Sequence, residues 1–185
     1  MCPVAQNIGE WAVSEISLST ELSFGIFLAL KSMAYPSSYN GFRRAPGANS
    51  KTIVPSVEII PSLRPNDVLI KIRAVSLNYR DVGMLHGKYP VPVKDQGIPA
   101  SDCAGEVVAL GPAVQGLSIG DRVSPIFDLN YIENMERQTE NAQLGGTVDG
   151  VLQQYAVFDE KVLVHIPQHL SWEEVQYSPL ILCFG

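Results

Sequence analysis

From Thr52 onward, short apolar runs are separated by turn residues, and the spacing is that of strands rather than helices. In Val68 to Ser76, Lys71 and Arg73 fall on one face and Val68, Ile70, Ile72 and Ala74 on the other, which predicts a strand. "TIVPSVEII" is apolar and β-branched, but Pro55 assigns it to an edge or a bulge. "CAGEVVALG" predicts another strand, with Gly105 marking a bulge or a close backbone approach. "GLSIGDRVSPIF" reads as a Gly-Asp turn and then a strand, and "VLQQYAVF" and "KVLVHIP" give two more around Asp159-Glu160. Between them, "YRDVGMLHG" has room for one or two helical turns ended by Gly87. "LSWEEVQYS" begins a helix, with Ser171 and Glu174 at capping-box spacing. Many short strands and little helix predict a mainly β fold, a small irregular barrel with short helices.

The first 50 residues do not share this pattern. Residues 1–50 read as a leader and linker: an amphipathic helix from Trp11 or an unstructured leader, then a loop rich in Ser, Pro, Gly, Asn and Tyr from Lys31 to Ser50. Asp128 to Gln143 reads as a polar loop. The apolar run from Leu22 to Leu30 is too short to span a bilayer. Its upstream charges are Glu10, Glu15 and Glu21, opposite to a secretory leader, so a cytoplasmic location and no membrane partner are expected.

Composition narrows the function classes. Apolar residues make up 46% of 185, enough for a packed core. The net charge of -6 comes without clustered Lys and Arg, which argues against nucleic acid as a partner. Only 17% of residues are charged, so part of the surface is expected to face a partner or a further domain. Three scattered cysteines predict no disulfide framework, and no CxxC pair suggests a zinc knuckle. His165 and His169 are four apart, but Pro167 between them and the strand pattern before them argue against a helical metal pair.

The densest cluster of polar chemistry is Asn78-Tyr79-Arg80-Asp81, placed where a strand ends. Together with "VLIKIRAVSLNYRD", three further stretches occur in order: "GIPASDCAGEVVALG", "GLSIGDRVSP" and "GGTVDGVLQQYAVFDEKVLVHIPQHLSWEE". In this series the chain from about Thr52 resembles the N-terminal, GroES-like catalytic domain of the medium-chain dehydrogenase/reductase superfamily. The likeness is greatest to its zinc-independent quinone-oxidoreductase and enoyl-reductase-like branch. The resemblance implies a GroES-like barrel over 51–170 and, over 171–185, the start of a helix leading toward a Rossmann domain.

The resemblance also implies how the polar cluster is used. Zinc members hold a cysteine where Asn78 stands, and the histidine of a Gly-His-Glu motif where Ser101 stands in Ala100-Ser101-Asp102. An amide and a hydroxyl are poor replacements for a thiolate and an imidazole on zinc, so no metal is expected. NAD(P)H is the implied cofactor, and a small molecule such as an alcohol, quinone or enone the implied substrate. Tyr89 in "HGKYP" matches the tyrosine that donates a proton in enoyl-reductase-like relatives, a role a neutral phenol suits. Asn78, Tyr79 and Asp81 are the implied cofactor-side residues. Each has a plainer reading: Asn78 as a turn residue, Tyr79 and Tyr89 as packing, and Asp81 as a brace on the helix start. "GGTVDG" lacks dinucleotide spacing and reads as a loop before a strand.

A Rossmann domain is not found in these 185 residues, so the chain is expected to be a truncated member, inactive on its own. Homodimerisation is expected only with that missing domain. The rival expectations are a GroES-fold module that binds a partner without catalysis, and a non-functional fragment.

Overall fold

A computed structural model of the protein describes residues 35–47, 51–130 and 141–176. The leader, its expected helix from Trp11, most of the loop after Asp128 and the segment after residue 176 lie outside the described residues.

A five-stranded antiparallel sheet forms the body. Its strands are β3 (Asp67–Ser76), β4 (Asp102–Leu110), β5 (Arg122–Pro125), β6 (Tyr155–Asp159) and β7 (Leu163–His165), and its order is β6-β3-β4-β5-β7. A second, two-stranded sheet pairs β1 (Ser38–Arg44) with β2 (Ile53–Ile59). The segment before β6 joins the two sheets: Leu152 O accepts from Phe42 N at 3.0 Å, Gln154 N donates to Asn40 O at 3.1 Å, and Gln154 O accepts from Ile72 N at 2.9 Å. The expected mainly β architecture with short helices is what forms.

β3 is central because it is apolar on both sides for its first half. Val68, Leu69 and Ile70 are fully buried, flanked by β4 on one edge and β6 on the other. Val68 and Ile70 meet Cys103, Val107, Val123, Leu144, Val151 and Phe158 in one core. Burial among apolar neighbours pushes the Cys103 thiol pKa upward, which makes it a packing residue. Gly105 faces Ile72 across a register shift. A Cβ there would come within 3.0 Å of Ile70 Cδ1 and 3.1 Å of Lys71 O, so the expected close approach is real.

One expectation fails. The stretch read as linker from Lys31 to Ser50 contains β1, in continuous register with β2 from Ser38↔Ile59 to Arg44↔Ile53. Its sequence, SYNGFRR, lacks apolar alternation because non-local partners hold it instead. Arg43 makes a two-pronged ion pair with Glu58, both bonds at 2.7 Å. Arg44 is buried and donates to the carbonyls of Gly97 and Gly145. Pro55 does sit in β2, whose only strand partner among the described residues is β1.

Two short helices follow the predicted signals. Helix α1 (Tyr79–Leu85) stops at His86, and Gly87 then takes a left-handed φ of 65°. Helix α2 (Trp172–Gln176) starts with the reciprocal bonds of a capping box: Ser171 N to Glu174 Oε2 at 2.7 Å, and Glu174 N to Ser171 Oγ at 3.2 Å. Its Val175 is fully buried against Ala104 and Ile166. None of the described helices is long and apolar enough to cross a membrane.

Candidate functional site

Strand register builds the site. Ser76, the last residue of β3, pairs with Asp102, the first of β4. The chain then leaves the sheet, so Asn78 arrives beside the Asp102 carboxylate. Asn78 Nδ2 donates to Asp102 Oδ2, and Ser101 Oγ donates to the same oxygen at 2.8 Å. Burial raises the Asp102 pKa, and the hydrogen bonds from Ser101 and Asn78 pull partly the other way. Asn78 itself remains exposed.

Asp81 has a different job. It is 8% exposed, with Oδ2 accepting from Asn78 N at 2.9 Å and Oδ1 from Ala100 N at 3.0 Å. The first bond steadies the start of α1. The second holds Ala100, a non-glycine residue at a φ of 69°, beside the Ser101-Asp102 pair. Its charge also faces the buried Arg44, whose guanidinium pKa is lowered by burial and supported by Asp81. Both carboxylate oxygens are committed to backbone amides, as the plainer reading as a brace required.

Arg80 reaches across the site. Nη1 donates to Leu144 O at 2.9 Å, and the guanidinium lies over the rings of Phe127 at 4.7 Å and Tyr89 at 5.6 Å. Tyr89 is half-buried, with its ring against Gly83, where an added Cβ would sit 3.4 Å from the ring. It lines a cavity of about 480 Å³ together with Met84, Val91, Val93, Arg44 and Lys94. Tyr79 is 85% exposed, and Leu77 and Val82, near it in sequence, are exposed as well.

The sequence-predicted residues therefore divide. Asn78 joins Ser101 and Asp102 in one hydrogen-bonded cluster, Asp81 braces it from behind, Tyr89 lines a neighbouring cavity and Tyr79 forms part of an open apolar face. Sequence reading missed Arg44 and Asp149. The latter accepts from Lys94 Nζ at 2.8 Å and Ile98 N at 3.0 Å, and anchors the loop entering Pro99-Ala100. Burial alone would raise the Asp149 pKa; Lys94, the Ile98 amide and Arg43 outweigh it and bring it below the ordinary carboxylate range. Only pairing over 51–106 residues of separation reveals these contacts.

One carboxylate, an amide and a hydroxyl are hydrogen-bonded to one another, with neither thiolate nor imidazole among them. Among the described residues no group of three or more His, Cys, Asp or Glu is placed to hold a metal ion.

Residues 64–168 match the model of the alcohol dehydrogenase GroES-like domain. A zinc-type alcohol dehydrogenase-like protein of Schizosaccharomyces pombe is 41% identical over 123 residues, which is 66% of this chain and 36% of that protein. A chloroplastic quinone-oxidoreductase of Triphysaria versicolor is 36% identical over 65% of this chain and 32% of its own length. An alcohol dehydrogenase of Geobacillus stearothermophilus is 32% identical over 68% of this chain and 39% of its own. Among solved structures, a putative alcohol dehydrogenase from Sinorhizobium meliloti superposes with a TM-score of 0.70 at 28% identity, covering 78% of this chain and 43% of that one. The match thus spans less than two-fifths of the length of these three curated relatives.

Proposed function

Because this chain belongs to the alcohol dehydrogenase GroES-like domain family of the medium-chain dehydrogenase/reductase superfamily, we propose that it forms the catalytic-domain part of a zinc-free, NAD(P)-dependent oxidoreductase. Its substrates are small alcohols, quinones or enones. The observation that carries this reading is the Asn78–Ser101–Asp102 cluster, at the positions where the resemblance puts a zinc-holding thiolate and imidazole. The name of the S. pombe relative refers to zinc; the side chains here argue for a hydrogen-bonded substitute.

The nicotinamide cofactor supplies or takes the hydride when bound. Tyr89 handles the accompanying proton: its phenol donates to the atom that becomes basic after hydride addition. Asn78 and the exposed Tyr79 contact the cofactor or substrate directly, while Asp81 contributes from behind by holding Asn78 and Ala100. Leu77, Tyr79 and Val82 form the apolar face that a cofactor-binding half would cover.

The described residues supply one wall of such a cleft and, among them, no dinucleotide cradle, so this chain by itself is expected to neither turn over substrate nor hold the cofactor well. Calorimetric titration of the purified chain with NADPH tests this. Binding weaker than roughly millimolar, about -4 kcal/mol, is expected; tighter binding overturns the one-wall reading. The exposed Leu77–Tyr79–Val82 face also supports a second reading, a module that docks a protein partner without catalysis. Turnover by this chain joined to a dinucleotide-binding domain, abolished by Y89F, would decide for the enzyme.

A further inference from the structure

We propose that Arg80 is the positioning residue for Tyr89: its guanidinium, fixed by the Leu144 carbonyl, holds the phenol ring at the edge of the 480 Å³ cavity. The inference rests on the reading of Tyr89 as proton donor, and it assigns the third residue of the Asn-Tyr-Arg-Asp series a task.

Four observations converge on it. The guanidinium lies over two aromatic rings at once, Phe127 at 4.7 Å and Tyr89 at 5.6 Å. Nη1 is tied to Leu144 O at 2.9 Å, while Nε and Nη2 are shut off from solvent with no hydrogen-bond partner. Two guanidinium nitrogens shut off from solvent without hydrogen-bond partners are costly, and ring faces add to the electrostatic support that the Asp102 charge gives. The surroundings are shaped to admit it: a Cβ on Gly146 would sit 2.5 Å from Nη2. Finally, Gly83 leaves room for the other side of the Tyr89 ring, so α1 and the Arg80 side chain together define where the phenol stands.

The group is suited to the task. A planar guanidinium stacks on rings and keeps a directed N–H for a carbonyl; an ammonium does neither in the same geometry. Arg80 connects α1, the loop carrying Tyr89, Phe127 after β5 and the Leu144–Gly146 turn. Among the described residues no hydrogen bond holds the Tyr89 hydroxyl, so its ring contacts, the Arg80 guanidinium and the Gly83 side included, are what position it.

The test uses the 185-residue chain with ring-13C-labelled tyrosine. Seven tyrosines are present, and loss of one signal in Y89F assigns Tyr89. In R80M and R80K the Tyr89 signal is expected to move to the position of a solvent-exposed tyrosine, while Tyr39 and Tyr155 keep theirs and the unfolding midpoint stays cooperative. A Tyr89 signal unchanged in folded R80M and R80K overturns the proposal. Should R80M fail to fold, R80K and G146A, whose added methyl displaces the guanidinium, are read in the same way. The two readings fail separately: full turnover by Y89F in the chain joined to a dinucleotide-binding domain would remove the proton-donor role, whereas the resonance shift depends only on Arg80 reaching Tyr89.

Discussion

Replacing Asp81 with asparagine keeps the shape of the side chain and removes its charge. Its two oxygens accept from Asn78 N at 2.9 Å and Ala100 N at 3.0 Å. An amide can satisfy only one of them, because its NH2 group then faces the other donor. A hydrogen bond to a charged acceptor contributes about 1.5–3 kcal/mol, and a buried donor left without a partner adds to the loss. The substitution also takes a counter-charge from the buried Arg44 and releases Ala100 from the contact that holds its left-handed φ. D81N should therefore lose about 2–3 kcal/mol and D81A, without either acceptor, about 3–5. For a chain of this size 1 kcal/mol moves the melting temperature by about 2–4 °C. Urea unfolding followed by far-ultraviolet circular dichroism gives both values and their order. A loss below about 0.5 kcal/mol for D81N, the level of an ordinary surface change, would refute the brace.

Two glycines should respond very differently to alanine. Gly150→Ala places a Cβ 2.0 Å from Ala100 O and should cost more than about 3 kcal/mol or prevent folding; Gly87→Ala, with nothing within 4 Å, should cost about 1 kcal/mol for its positive φ alone. Comparative urea unfolding checks the ranking, and equal losses would count against the close approach. Asp149 has a depressed pKa in the folded state, so its contribution is fully present above the unfolded carboxylate value near about 3.9 and is lost as pH falls through the folded value. D149N should therefore flatten the acid side of the stability–pH curve below about pH 4, measured by thermal melts; an unchanged slope contradicts the assignment. In the chain joined to a dinucleotide-binding domain, Y89F should lower kcat by about 10²–10⁴-fold, and unchanged steady-state turnover would remove Tyr89 from proton transfer.

How far the sequence could be read depends on whether a contact is local. β3, the Gly105 approach, α1 and the Ser171–Glu174 cap are written in short-range alternation and spacing, and each forms. β1 was hidden because its polar, glycine-containing strand is held by β2, Leu152 and Gln154, far away in sequence. The site divides in the same way. Asn78-x-x-Asp81 was visible as a helix start, and Asp81 binding the Asn78 amide follows from that spacing. The pairing of Asn78 with Asp102 requires the β3–β4 register, and the stacking of Arg80 on Tyr89 and Phe127 requires α1 and two loops to meet. No local pattern carries that information.

Metal content of the purified chain, expressed with added zinc and measured by inductively coupled plasma mass spectrometry after gel filtration, bears most directly on the hydrogen-bonded cluster as a substitute for zinc. Well under one-tenth of an equivalent is expected, with no change in the melting curve after chelator treatment. One tightly held zinc per chain, lost together with stability when the chelator is added, would contradict it.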